Sequence, residues 1–152
     1  MDTQRNTSKP GAAGFTLVEL MIVILVIGIL VAIVIPAMNT AMEKSRQRRS
    51  MADMRTIGNQ LQIYQNDFTT YPSGGLSIDD VADLILPNSN TRVPTRDAWY
   101  HDFGYESDGT TSYTVESYGR RGVPGANITP ATSNDFDLDI VLSNGQFVAA
   151  VR

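Results

Sequence analysis

The sequence contains no cysteine and a single histidine, and these shortages exclude several kinds of site. Without cysteine there is no disulfide framework, no thiolate nucleophile and no cysteine-bound zinc. A metal site built from several histidines is also excluded, and a Ser-His-Asp site would have to use His101. Basic residues number 12 against 16 acidic ones. This balance argues against a nucleic-acid partner, because non-specific binding to nucleic acid needs a basic surface.

Charge is absent from one long segment near the N-terminus. Residues 20–42 contain no charged residue, and residues 20–38 are all apolar, Gly or Pro. A helix of this length, at ~1.5 Å per residue, is long enough to cross ~30 Å of hydrocarbon. The alternative is a buried helix of a soluble protein, but the rest of the chain is too small to enclose it. We therefore predict one membrane span.

The segment before this span carries a small positive charge. Residues 1–14 contain Arg5 and Lys9 against Asp2. Positive charge ahead of an apolar span keeps that end in the cytoplasm and places the C-terminal part outside. A secretory signal peptide begins similarly, but its small-residue cleavage site follows the apolar run, whereas Ala12-Ala13-Gly14 precedes it here. We expect the span to stay attached to the chain, with membrane lipid as its first partner.

Glu19 is the one charged residue at the edge of the span. A carboxylate that enters the bilayer costs a few kcal/mol, so such a residue is a functional-site candidate by default. The alternative is an interfacial glutamate that reaches the lipid headgroups.

The segment GFTLVELMIVILVIGILVAIVIP, residues 14–36, resembles the N-terminal signature of type IV prepilins and type II secretion pseudopilins. The resemblance implies that a membrane prepilin peptidase cuts between Gly14 and Phe15 and N-methylates the new amine of Phe15. It also implies that Glu19 and Pro36 serve filament assembly. Because a buried charge must be paired, Glu19 of one subunit would neutralise the Phe15 amine of a neighbour and set the stagger between them.

After residue 42 the helix pattern becomes amphipathic. One apolar stripe has the 3,4 spacing of a helix face and consists of Met54, Ile57, Leu61, Tyr64 and Phe68. We expect four segments: a leader at 1–14, a membrane and polymerisation helix at 15–38, an amphipathic helix at 39–68 and a globular head at 69–152. The basic run at 44–49 is interpreted as a solvated helix face or as a contact with acidic neighbours in a filament, rather than a nucleic-acid or lipid site.

The head, residues 69–152, predicts one short helix and a sheet. Ser77 followed by Asp80 is an N-cap signature, and Pro87 would end that helix. Asn144-Gly145 between alternating apolar runs is a strong hairpin signal. The predicted strands are residues 103–106, 112–118, 136–143 and 146–151. In the third of them, alternation places Asp137 and Asp139 on the face opposite the apolar residues.

A second resemblance lies in this head. Asp97-Ala98-Trp99, Phe103-Gly104-Tyr105 and residues 113–119 are similar to the β-region of major pseudopilins of type II secretion systems. The family implies an α+β fold, the type IV pilin fold, in which a long N-terminal helix packs on a small antiparallel sheet. The hairpin at 136–151 extends past the usual ending of that family.

The same resemblance implies a possible calcium site in the loop after the first hairpin. Calcium takes 6–8 oxygen ligands, usually including carboxylates. Ser117, Asp135 and Asp137 match the family loop approximately, but Arg121 stands where an aspartate is common. An arginine cannot ligate a cation, and it would instead pair with Asp135 or Asp137 and close the loop without metal.

The sequence therefore predicts a structural protein rather than an enzyme. His101 beside Asp102 is the one acid–base candidate, and no nucleophile, phosphate-binding or paired-carboxylate motif accompanies it. The prediction is a homopolymer in the bacterial inner membrane and periplasm that pushes proteins through an outer-membrane secretin. Its other implied partners are minor pseudopilins, an inner-membrane assembly platform and a cytoplasmic ATPase. The alternatives are a type IV pilus subunit, and a membrane-anchored binding module that never polymerises.

Overall fold

A computed structural model describes residues 14–73, 76–88, 92–125 and 135–148. The chain divides into two compact units between Asn39 and Thr40. Helix α1 spans Leu17–Phe68 and helix α2 spans Ile78–Ile85. A four-stranded antiparallel sheet has the order β1–β2–β3–β4, and its strands are Gly104–Ser107, Tyr113–Ser117, Ile140–Ser143 and Gln146–Phe147. The predicted α+β architecture is confirmed.

The N-terminal unit consists of the apolar half of α1. All of its described residues, 14–39, are exposed, including the large apolar side chains. This is the one stretch in the described helices that is long and apolar enough to cross a membrane. Pro36 lies inside the helix. Because proline has no N–H, the helical hydrogen bond to the carbonyl of Ala32 is missing there.

The amphipathic half of α1 supplies one wall of the head's core. Met54, Ile57 and Leu61 are fully buried, as the stripe predicts. Tyr64 is packed against the core, but Phe68 is 49% exposed and its ring centroid lies 4.4 Å from that of Tyr64. The predicted stripe therefore loses burial at its end, where α1 terminates.

Gly58 allows α1 to approach the sheet closely. A Cβ atom at this position would lie 2.8 Å from the Tyr113 hydroxyl and 3.1 Å from a methyl of Leu142. Since both neighbours are fully buried, any larger residue would push the helix away from β2 and β3.

Helix α2 begins as the sequence predicts. The Ser77 side chain accepts a hydrogen bond from the Asp80 backbone, and the Asp80 side chain accepts one from the Ser77 N–H, which completes a capping box. The Ser77 hydroxyl also donates to Asp80 Oδ2 at 2.7 Å, and this bond, together with the one from the Ser77 N–H, holds the pKa of Asp80 below its usual value. Val81 and Ile85 then face the core. Pro87 does not stop the helix abruptly, because it continues as a 3-10 turn at Leu86–Asn88.

The third strand is shorter than predicted. It starts at Ile140, next to the bridge residue Asp139, and residues 136–138 form a turn, so the alternating pattern does not apply to those three. Asp139, which the pattern places on the face opposite Ile140 and Leu142, is only 5% exposed, and its carboxylate accepts a hydrogen bond from the Gly125 N–H at 2.7 Å. The Asn144-Gly145 hairpin is confirmed, with φ of 48° and 80° at the two turn residues. Residues 149–151 of the predicted fourth strand lie outside the described residues.

Candidate functional site

The bond between Gly14 and Phe15 lies just before the first turn of α1. No atom of the described residues lies within 4 Å of the position that a Cβ of Gly14 would take, and Phe15 is 77% exposed. The backbone around the predicted cleavage bond is therefore open. Glycine at this position leaves room for a protease to reach that backbone.

Thr16 caps the helix immediately after this bond. Its Oγ1 accepts a hydrogen bond from the Glu19 N–H at 3.2 Å, and its carbonyl accepts one from Leu20. Sequence reasoning assigned no role to Thr16, although Thr followed three residues later by Glu is a known start signal for helices. The cap places Glu19 in the first turn, where a carboxylate also complements the helix dipole.

Asp97 organises a second site, in the head. Its carboxylate is almost completely buried and accepts three hydrogen bonds. Oδ1 accepts from the backbone N–H groups of Trp99 and His101, both at 2.9 Å, and Oδ2 accepts from the Ser117 hydroxyl at 2.8 Å. The carboxylate thus ties the turn at residues 97–101 to the end of β2. The motif Asp97-Ala98-Trp99 gave no indication in the sequence that the Asp97 carboxylate has this structural role.

The turn at residues 97–101 also attaches to α1. The Ala98 N–H donates to Ser50 Oγ at 3.0 Å, and the Trp99 indole N–H donates to Glu43 Oε2 at 2.8 Å. Glu43 pairs in turn with Arg46 at 2.8 Å. These contacts seat the buried Trp99 ring beside α1.

His101 and Ser117 do not form a catalytic pair. Nδ1 of His101 lies 3.0 Å from the carbonyl oxygen of Gly119, and since a carbonyl can only accept, this nitrogen carries the proton. Ser117 is fully buried and donates to Asp97, not to the imidazole. The contact between His101 and Gly119 holds the start of the loop after β2 in place.

The loop that follows β2 is closed by a forked ion pair. Arg120 donates to both oxygens of Asp137 at 2.8 Å, and its N–H donates to the carbonyl of Phe136 at 2.9 Å. The guanidinium holds the pKa of Asp137 below its usual value. The prediction of an arginine–aspartate closure therefore names the wrong arginine. Arg120 makes the fork, whereas Arg121 acts on Asp137 only at longer range.

Two family models match the chain, and each covers one of these two sites. The model of the prokaryotic N-terminal methylation motif matches residues 9–35, which include Gly14, Phe15 and Glu19. The model of type II secretion system protein G matches residues 37–135, which include Asp97 and Trp99. The chain belongs to the type II secretion system protein G family. The prediction of a type II secretion pseudopilin is thereby confirmed, and the match does not support the type IV pilus alternative.

Several individual relatives are named type II secretion system core protein G. The protein from Aeromonas hydrophila is 34% identical over 97 residues, which cover 64% of this chain and 64% of the relative. Those from Vibrio cholerae and Pseudomonas aeruginosa are each 28% identical, over 82% and 88% of this chain and 92% and 85% of theirs. No solved structure matches the chain significantly. The hairpin formed by β3 and β4 follows the matched region of the protein G family.

Two of the three predicted calcium ligands already have other side-chain partners in the described part of the chain. Of the three candidate ligands, Ser117 is buried against Asp97, and Asp137 has both oxygens occupied by Arg120. Asp135 accepts from the Asp137 N–H at 3.1 Å. Within residues 14–73, 76–88, 92–125 and 135–148, no group of three His, Asp or Glu side chains is placed to hold a metal. Ser133 and Asn134 of the family loop lie outside these ranges.

Calcium removal is therefore expected to leave the melting temperature of this family member unchanged. A calcium site filled at one hundred times its Kd would add about 2.7 kcal/mol, a readily measured shift. The measurement is Trp99 fluorescence on heating the full chain in detergent micelles, with millimolar calcium or with a chelator. Arg120→Gln is expected to lower the melting temperature in both conditions, and Arg121→Gln is the matched control. A clear rise with calcium would contradict this expectation.

The Arg120–Asp137 pair also determines in which direction the stability of the head changes with pH. Because the folded pKa of Asp137 is lowered, its contribution to stability is present above the ordinary aspartate pKa and is lost as the pH falls through the folded value. In thermal melting at a series of pH values, the native chain should therefore be more stable than Asp137→Asn above about pH 4. This difference should shrink as the pH falls below that value, until the two melting temperatures converge.

Proposed function

We propose that this chain is made as a membrane-inserted precursor and becomes the main subunit of a secretion pseudopilus. The observation that carries the proposal is the start of α1: an apolar, exposed helix begins directly after the open Gly14–Phe15 bond. A helix with no described partner for its apolar side chains needs either lipid or other helices around it. Lipid serves before assembly, and copies of the same helix serve afterwards.

Processing supplies the charge that makes assembly specific. Cleavage between Gly14 and Phe15 leaves a cationic amine on Phe15, four residues before the Glu19 carboxylate. In a filament made of such helices, the amine of one subunit pairs with Glu19 of a neighbour, since an unpaired charge in an apolar interior is expensive. Pro36 leaves one helical hydrogen bond unmade, so a local change of helix conformation on assembly costs less there.

Several partners follow from this role. A prepilin peptidase cuts and methylates the precursor, and an inner-membrane platform receives the mature chain. Minor pseudopilins form the filament with it. Energy comes from a cytoplasmic ATPase. The leader faces the cytoplasm and the head faces the periplasm, in agreement with the positive charge ahead of the span. Growth of the filament then moves exported proteins toward an outer-membrane secretin.

The Gly14→Val variant tests processing and function together. A β-branched side chain beside the cleaved bond is expected to block the peptidase. Since no atom of the described residues lies within 4 Å of the Gly14 Cβ position, we expect their fold to be unaffected. We expect uncut precursor in the inner membrane and a loss of secretion of at least about tenfold, which corresponds to roughly 1.4 kcal/mol in assembly. Mass spectrometry of the N-terminal peptide and secreted-enzyme assays are the measurements. Normal secretion by an uncut chain would contradict the proposal and favour an anchored module that never polymerises.

A further inference from the structure

The side of α1 next to strand β4 is basic and has no partner along much of its length. Lys44, Arg48 and Arg55 lie within ~40° of one another around the helix, at ~100° per residue. Arg48 and Arg55 are exposed, and the Arg55 guanidinium lies 5.1 Å from the ring centroid of Phe147 in β4. Lys44 and Arg48 form no ion pair with any described residue. We call Lys44, Arg48 and Arg55 the basic flank.

The other side of α1 borders an acidic groove. An open groove of about 680 Å³ runs between α1, α2 and residues 92–96. Asp53 of α1 and the exposed Asp79 and Asp83 of α2 line it, and we call these three residues the acidic flank. Two arginines also line the groove, Arg92 and Arg96, but Arg96 is already bound to Asp102 at 2.9 Å.

The acidic flank is poorly neutralised within the chain. Asp79 and Asp83 have no ion pair in the described part of the structure. Asp53 has one partner, Arg49, at a long 3.8 Å, and that arginine is 75% exposed. Burial raises the pKa of Asp53 despite this partner, so a further cation in the groove would stabilise the charged carboxylate.

The two flanks cannot meet within one subunit. Lys44 and Asp53 are nine residues apart, which places them ~180° from each other around α1. Complementary patches on opposite sides of one molecule form a head-to-tail contact, and repetition of such a contact builds an open helical filament. We propose that the basic flank of one subunit docks into the acidic groove of the next copy of this chain.

This interface rests on the proposed function, because it requires a filament of identical subunits. The interface also gives a role to the uneven distribution of charge along the sequence, where residues 39–68 are net basic and residues 69–152 are strongly acidic. Charge pairs of this kind fix the register and exclude wrong partners more than they add affinity. The apolar helices hold the subunits together, and the flanks select one orientation of the heads.

Charge exchange between the flanks tests this inference in cells that carry the full chain. Arg48→Glu and Asp83→Arg are each expected to lower filament yield about tenfold, because each brings like charges together across the interface. The double variant, which restores the opposite pair, is expected to recover at least half of the native yield. Glu106→Lys reverses an exposed acid on β1, outside both flanks, and serves as the matched control.

The outcomes separate this inference from the function on which it rests. If both single variants behave like Glu106→Lys while deletion of the chain abolishes secretion, the function stands and the interface is wrong. A double variant that assembles no better than the singles, with native Trp99 fluorescence, also overturns the pairing.

Since the chain lacks cysteine, Arg48→Cys combined with Asp83→Cys provides a second readout. A bis-maleimide should join these variants into a ladder of multimers, and absence of the ladder from intact filaments contradicts the interface.

Discussion

Asp97→Ala is expected to destabilise the head by about 3–5 kcal/mol, the largest effect of any single side chain outside the apolar core. The substitution removes an almost fully buried carboxylate that accepts three hydrogen bonds. The N–H groups of Trp99 and His101 and the hydroxyl of Ser117 would be left buried without acceptors. Each such group costs about 1–3 kcal/mol, and the costs are not fully additive because the three share one site.

The measurement for Asp97 is urea unfolding of the full chain in detergent micelles, followed by fluorescence. Trp99 is the only tryptophan and sits two residues from the substitution, so the signal reports on this turn directly. Asp102→Ala is the matched control, since Asp102 is 59% exposed and pairs only with Arg96 on the surface. That variant should change stability by less than about 1 kcal/mol. Equal losses in the two variants would show that Asp97 does not organise the head.

Glu19→Val is expected to abolish filament assembly while leaving membrane insertion intact. The substitution makes the span more apolar, so insertion is favoured. It also removes the carboxylate that, in the proposed filament, would neutralise the Phe15 amine of a neighbouring subunit. An unpaired ammonium in an apolar interior costs several kcal/mol, which corresponds to a loss of at least about a hundredfold in assembly.

The readouts for Glu19 are filament yield by electron microscopy and the secreted fraction of exported proteins. Glu19→Asp keeps the charge on a shorter side chain and should retain part of the activity, whereas Glu19→Gln keeps the shape and should fail. Membrane fractionation checks that all three variants are inserted. Native filament yield with Glu19→Val would mean that the Phe15 amine has another partner.

Local signals in the sequence predicted the regular elements well. The 3,4-spaced stripe on α1, the Ser77 capping box and the Asn144-Gly145 turn all depend on residues within a few positions of one another. Such patterns act through one helix turn or one hairpin, and no distant contact is needed to read them. The N-terminal motif is also local, and for that reason the sequence of residues 14–36 alone is enough to indicate the resemblance to prepilins and pseudopilins.

The candidate site in the head was harder to predict because its contacts are long-range. Asp97 and Ser117 are 20 positions apart, and Trp99 meets Glu43 across 56 positions. Nothing in the spacing of Asp97 distinguishes a buried carboxylate from an exposed one. The interpretation of Arg121 failed for a related reason. Which arginine reaches Asp137 depends on the backbone of the 3-10 turn at Gly119–Arg121, where φ is positive at Gly119 and at the following Gly122. In that turn, Arg120 makes the fork to Asp137.

The most direct test of the central claim is quantitative proteomics of the culture medium from a deletion strain and its complemented parent. The account predicts that a set of proteins bearing signal peptides disappears from the medium and accumulates in the periplasm of the deletion strain. Complementation with the native gene should restore secretion, and complementation with Glu19→Val should not. An unchanged set of secreted proteins would contradict the account and would favour a surface pilus built by a chain of the same fold.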